Sequence, residues 1–235
     1  MTLPRPNLEQ SFEELAAAVP ATIGVAISGP DRTEPRALGR WSSGVAWSTI
    51  KVPLAIAALR RDRPGAQDLV VKAITESDND ASERLWTQLG APAGAAQQVQ
   101  AVIDESGDTA TVVESHRLRP SFTAFGQTQW ALARQARFAA QLPYLDHGAT
   151  IVDLMRQLAS HQRWGLAAKG LAAKGGWGPG IRGDYLVRQF GIIPAEFGQV
   201  GVALAAQADA FETGVDVLNT MTDWVVSHLR VLTEQ

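Results

Sequence analysis

Residues 48–61 read Ser48-Thr49-Ile50-Lys51-Val52-Pro53-Leu54-Ala55-Ile56-Ala57-Ala58-Leu59-Arg60-Arg61, and the pattern changes character at their first residue. Upstream, apolar residues alternate; from here they recur at helical spacing. Ser48 opens a helix running to about Arg60, with Ile50, Leu54, Ala57 and Ala58 along its face. Pro53 falls within the first two turns, where a missing N–H costs least. Ser48 and Lys51 stand three residues apart on one helix face, so the ammonium can reach the hydroxyl.

Working outward, Asn7 caps a helix through Ala18, with Leu8, Phe12, Leu15 and Val19 at helical spacing and Pro20 ending it. Residues 21–28 read as a strand with Ile23, Val25 and Ile27 on one face. Gly29-Pro30-Asp31 turns the chain, and residues 36–41 return as a second strand. Beyond the central helix, further helices are expected at 66–76, 80–89, 92–104, 127–142 and 149–159, with an irregular stretch at 107–126. Strand patterns resume at 171–177, 185–193 and 199–207. A last helix at 213–232 carries the stripe Val217, Met221, Trp224, Val225 and Leu229.

Strands at both ends of the chain most simply join into one sheet. The predicted fold is α+β: a central antiparallel five-stranded sheet flanked by helices, plus an all-α lobe. Residues 1–47 and 160–235 would form a discontinuous sheet subdomain, and residues 48–159 the helical one. A pocket is expected at their seam.

Composition narrows the function. The 235 residues carry a net charge of -3 with Lys and Arg spread along the chain, which leaves no footprint for nucleic acid. The absence of cysteine excludes disulfide scaffolds and thiolate metal sites. His116, His147, His161 and His228 show no HExxH or HxH pairing, so neither a metal nor another cofactor is expected. No segment approaches the roughly 18 unbroken apolar residues of a membrane span. Residues 1–10 lack a basic region followed by an apolar run, which points to a cytoplasmic protein, although an exported chain trimmed of its leader would read the same way.

Three short motifs fall on the seam. Ser48-Thr49-Ile50-Lys51 offers a hydroxyl beside an amine that desolvation shifts toward its neutral, basic form. The helix N-terminus there, with the Ser48 N–H, favours an oxygen developing negative charge. Ser77-Asp78-Asn79, in a break between helices, offers a hydroxyl to relay a proton and an amide to bind a substrate amide. Lys174-Gly175-Gly176, on a strand, combines positive charge with glycines that let a substrate backbone approach closely. With 12 Ser, 4 Lys, 13 Asp, 3 Asn and 21 Gly in the chain, chance would supply the three motifs about 0.2, 0.01 and 0.03 times respectively. Each alone could be accidental; three in this order are a strong signal.

The set resembles the SxxK, SDN and K-[ST]-G motifs of class A β-lactamases and penicillin-binding proteins. The run from Ser48 to Arg61 resembles the active-site helix of those β-lactamases, and the order of elements matches over nearly the whole chain. The resemblance implies a serine hydrolase acting on a small amide, ester or β-lactam. It implies Ser48 as the acylated nucleophile and Lys51 as its activating base. It implies Ser77 as proton relay, Asn79 as binder of the substrate amide and Asp78 as structural. Lys174 would hold the relay serine and a substrate carboxylate, with Lys169 a weaker rival. Gly176 would lie against the substrate, and the N–H groups of Ser48 and Trp177 would form the oxyanion hole.

Three departures qualify that picture. Gly175 stands where Ser or Thr is usual, which removes a donor to a substrate carboxylate. The spacing from Ser48 to Ser77 is short, so the helical lobe is trimmed. No ExxLN loop with a deacylating glutamate is evident; Glu114, in Glu114-Ser115-His116-Arg117-Leu118, is the one acid in a suitable place. Acylation is therefore expected more firmly than rapid β-lactam turnover. Arg182 precedes the strand at 185–193 and Arg188 stands within it, and either could bind an anion. Two alternatives stay open: a cytoplasmic amidohydrolase of small amides, like the serine-dependent glutaminases, and a catalytically degenerate member that binds a ligand or partner.

Overall fold

The computed structural model describes residues 7–31, 34–196 and 198–233. Residues 1–6, where the absence of a leader was read, lie outside the described residues. Asn7 accepts a hydrogen bond from the Gln10 N–H and caps α1 (Leu8–Ala18). The chain then forms β1 (Thr22–Ser28) and β2 (Arg36–Gly39). At the other end come β5 (Ala172–Pro179), β6 (Tyr185–Ala195), β7 (Gly198–Ala208) and α8 (Phe211–Thr233). All five strands form one antiparallel sheet in the order β2-β1-β7-β6-β5. The expected α+β architecture with a five-stranded sheet is the observed one.

Alternation sorts the sheet residues between two cores. On one face, Ile23, Val25, Val187, Val202 and Leu204 pack with α1 and α8. Phe12 meets Trp224 of the predicted α8 stripe edge-on at 5.0 Å. On the other face, α6 (Leu132–Gln141) lies along β1 and β7. Beyond it the helical lobe gathers around α2 (Lys51–Arg61), with α3 (Arg63–Thr75), α4 (Asn79–Gln88), α5 (Pro92–Glu105) and α7 (Gly148–Met155). The sequence suggests one apolar face for α2, but all nine residues from Lys51 to Leu59 are buried. This helix is the axis of the lobe.

Two local expectations fail. The helix predicted over 127–142 begins only at Leu132; its first residues form β4 (Gln129–Ala131), paired with β3 (Ser43–Val45) in a separate two-stranded sheet. The helix predicted to begin at Ser48 starts as a 3-10 turn over Trp47–Ile50 and becomes α-helical at Lys51. Among the described residues no helix is long and apolar enough to cross a membrane.

Candidate active site

Ser48 sits in the 3-10 turn, where side chains three residues apart eclipse one another, so Ser48 and Lys51 project to the same side. Trp47, just before it, adopts a left-handed backbone at φ 51°. Ser77 is also left-handed, at φ 57°. Among the described residues only His147 joins these two as a non-glycine with positive φ. Backbone strain of this kind is costly and persists where the surroundings hold it. Here it bends the chain immediately before one candidate hydroxyl and at the other.

The turn is braced from below. Thr49 Oγ1 donates to Ala46 O at 2.6 Å, and Gln135 Nε2 donates to Thr49 Oγ1 at 2.9 Å. Gln135 Oε1 in turn accepts from Arg188. Arg188 also donates to Gly44 O, Val45 O and Trp130 O, at 2.9 to 3.1 Å. Its guanidinium lies 5.2 Å from the Trp41 ring. The sequence offers Arg188 as an anion binder; the structure buries it completely, and it ties β6 to the segment leading into Ser48. Burial lowers its pKa to about 9, so it remains charged at neutral pH.

Three motifs meet at Ser77. Lys51 Nζ donates to Ser77 O at 2.5 Å, to Asn79 Oδ1 at 2.7 Å and to Ser77 Oγ at 3.2 Å. Lys174, from β5, donates to the same Ser77 Oγ at 2.9 Å and to Gly175 O at 3.0 Å. Asp78 caps α4 by accepting from the Ala81 N–H at 2.7 Å, which fixes the bend that carries Ser77 and Asn79. No hydrogen bond joins Lys51 to Ser48; the amine is drawn to Ser77 and Asn79 instead.

Burial sets the protonation of the two amines. It lowers Lys51 to about 7, against the opposing effect of the Asp78 carboxylate. It moves Lys174 well below the ordinary lysine range, and the nearby Lys51 charge adds to that shift. A neutral Lys51 has two N–H donors, enough for its two shorter donations, and a lone pair able to accept a proton.

Ser48, Lys51, Ser77 and Asn79 line one cleft of about 470 Å³, bounded across the sheet by Trp177, Pro179 and Tyr185. Lys174 seals the floor behind Ser77 and is itself fully buried. Lys169, its proposed rival, lies elsewhere and pairs with Asp223 at 2.6 Å. The glycines of the third motif let neighbouring elements pack closely against β5. A Cβ on Gly175 would stand 2.6 Å from the Trp164 ring, and one on Gly176 would stand 2.8 Å from Ala46 O and Ser48 N. Gly176 therefore lets β5 press against the turn that carries Ser48. The Trp177 side chain turns away toward Phe211, at 5.2 Å between rings, although the residue borders the cleft.

The two remaining candidates lie off the cleft. Glu114 accepts from the His116 N–H at 2.7 Å and contacts its ring, within its own loop. That backbone bond is the main cause of its lowered pKa, which leaves it a weak base. Arg182 is exposed in the turn between β5 and β6 and does not line the cleft. The acids that do line it are Asp80 and Glu83, both on α4. Glu83 pairs with Arg117, whose other nitrogen donates to Phe122 O at 3.1 Å. Arg119 follows in the same loop; it stacks 5.5 Å from the Trp47 ring and donates to Pro179 O at 2.7 Å. Sequence reading missed Glu83, and its spacing four residues after Asn79 on one helix face was the available signal.

This architecture is the fold of class A β-lactamases and the penicillin-binding protein PBP-A. A class A β-lactamase from Bacteroides cellulosilyticus DSM 14838 matches with TM-score 0.76 and 14% identity, over 98% of this chain and 100% of the other. The class A β-lactamase of the last common ancestor of Gram-negative bacteria matches with TM-score 0.72 and 20% identity, over 94% and 99%. PBP-A matches with TM-score 0.69 and 19% identity, over 98% and 100%. No protein-family model and no curated protein matches the sequence.

Proposed function

We propose that the protein is an active-site serine acyl-hydrolase or acyl-transferase that forms an acyl-enzyme on Ser48. One observation carries this reading: two buried lysines converge on the hydroxyl of Ser77 in the cleft that also holds Ser48. Neutral Lys51 takes the Ser48 proton as Oγ attacks an amide, ester or β-lactam carbonyl. The N–H groups of Ser48 and Trp177 hold the tetrahedral oxyanion. Ser77 passes the proton to the leaving group as the carbonyl–leaving-group bond breaks, and Lys174 keeps Ser77 in place. Asn79 Oδ1 is taken by Lys51, which leaves its NH₂ for a substrate carbonyl.

Deacylation is slow in this reading. Glu114 is bonded within its own loop, Glu83 is paired, and Arg119 rather than an acid crosses from that loop to the Trp47 ring. The test is intact-mass measurement after incubation with penicillin and with an uncharged activated ester, for the natural chain and Ser48→Ala. A persistent adduct that disappears in Ser48→Ala is expected. Rapid hydrolysis of a chromogenic cephalosporin would refute slow deacylation, and no adduct with any acyl donor would leave a ligand-binding protein.

A further inference from the structure

We infer that the cleft selects acyl donors that are uncharged or positively charged near the reacting carbonyl, and that Asp80 sets this preference. The inference rests on the acyl-transfer reading and names its substrate class. It follows from where each charge in and around the cleft is engaged. Lys51 is bonded to three acceptors of the Ser77–Asn79 segment. Lys174 is sealed beneath Ser77 with no exposed surface. Arg117 is neutralised by Glu83. Arg119 lies flat on Trp47 and Phe122 with its donor on Pro179 O. Arg188 faces the core, bonded to four acceptors.

Among the described residues, each of these cations is already engaged by a protein partner. Asp80, by contrast, lines the cleft, is exposed, and makes no ion pair among the described residues. On the opposite wall stands Tyr185, whose phenol is held protonated by burial and by the Glu212 carboxylate near it. Tyr185 thus adds no charge of its own, and the Asp80 carboxylate biases the cleft toward positive or neutral ligands. Nor can a hydroxyl be restored at position 175 by simple substitution, because the Trp164 ring occupies the space a side chain would need.

The reaction that tests this is ester acylation: Ser48 Oγ bonds to the acyl carbon, the bond to the phenolic oxygen breaks, and the Ser48 proton leaves with p-nitrophenol. Three p-nitrophenyl esters of matched shape serve as probes: γ-trimethylammoniobutyrate, its uncharged tert-butyl isostere, and hemiglutarate. Adduct formation is followed by intact mass, with Ser48→Ala as the blank. The cationic ester should acylate Ser48 faster than the anionic one by about fivefold at low salt, and the ratio should shrink as salt rises. Asp80→Asn should bring the ratio toward one, and Asp80→Lys should invert it. Equal or faster acylation by hemiglutarate overturns the proposal. So does a ratio that Arg182→Gln changes and Asp80→Asn does not, because Arg182 would then be the determinant. If none of the three esters modifies Ser48, the acyl-transfer reading itself has failed, a result distinct from either of these.

Discussion

The protonation of Lys51 gives the sharpest prediction. The perturbation is pH, applied to the acylation of Ser48 by an uncharged ester that does not itself titrate. Lys51 acts only when neutral, and burial sets its pKa at about 7. The neutral fraction is then about one-eleventh at pH 6, one-half at pH 7 and ten-elevenths at pH 8, so the rate rises about tenfold across that range. Single-turnover acylation, quenched and read by intact mass, gives the profile after subtraction of the Ser48→Ala blank. Asp78→Asn removes the charge that raises Lys51, so its midpoint should fall below that of the natural chain. The same shift affects stability. The unfolded lysine holds its proton up to 10.5 while the folded one releases it near 7, so the unfolded state binds more protons in this window. Stability therefore increases as pH rises from about 7 to 10.5. A flat rate profile, or a midpoint near that of an ordinary lysine, would refute the assignment of Lys51 as the base.

Two further substitutions probe how Ser48 is held. Gly176→Ala places a methyl against Ala46 O and Ser48 N, so β5 or the turn must move; a loss of about 2 kcal/mol in denaturant unfolding and a matching fall in acylation are expected. Stability and acylation both unchanged would mean that the close approach is not needed. Arg188→Met keeps the bulk but removes four hydrogen bonds, two of them fully buried, which should cost about 3 kcal/mol and lower the melting temperature; an unchanged melting temperature would refute the bracing role.

The large elements were legible because each carries a period. The strands at both ends of the chain and the stripe on α8 follow directly from spacing, and the chain order of strands and helices was enough to close one sheet. The three-residue strands β3 and β4 were not legible, since a run that short has no period. Gln127 to Ala131 was read as helix because apolar residues continue from it into α6. The motifs located the cleft, because Ser48, Ser77 and Lys174 each stand at a break or edge where side chains can converge. What spacing could not reveal was the direction of a side chain on a strand. Arg188 and Gly176 are register partners, and their positions place both beneath the turn. Only the three-dimensional arrangement shows that one is a brace and the other a gap. The same limit applied to the acids: the search for an ExxLN loop singled out Glu114, whereas helix geometry put Asp80 and Glu83 in the cleft wall.

The left-handed residues at 47 and 77 carry a consequence for engineering. Variants selected only for heat tolerance would be drawn to glycine at 77, because glycine relieves the unfavourable backbone there, whereas at 47 the packing of the buried indole outweighs any such relief. At 77 the exchange deletes the hydroxyl on which both amines converge. Robustness and chemistry are thus set against each other at a single residue, and variants recovered from such a screen should be tougher proteins with an idle cleft.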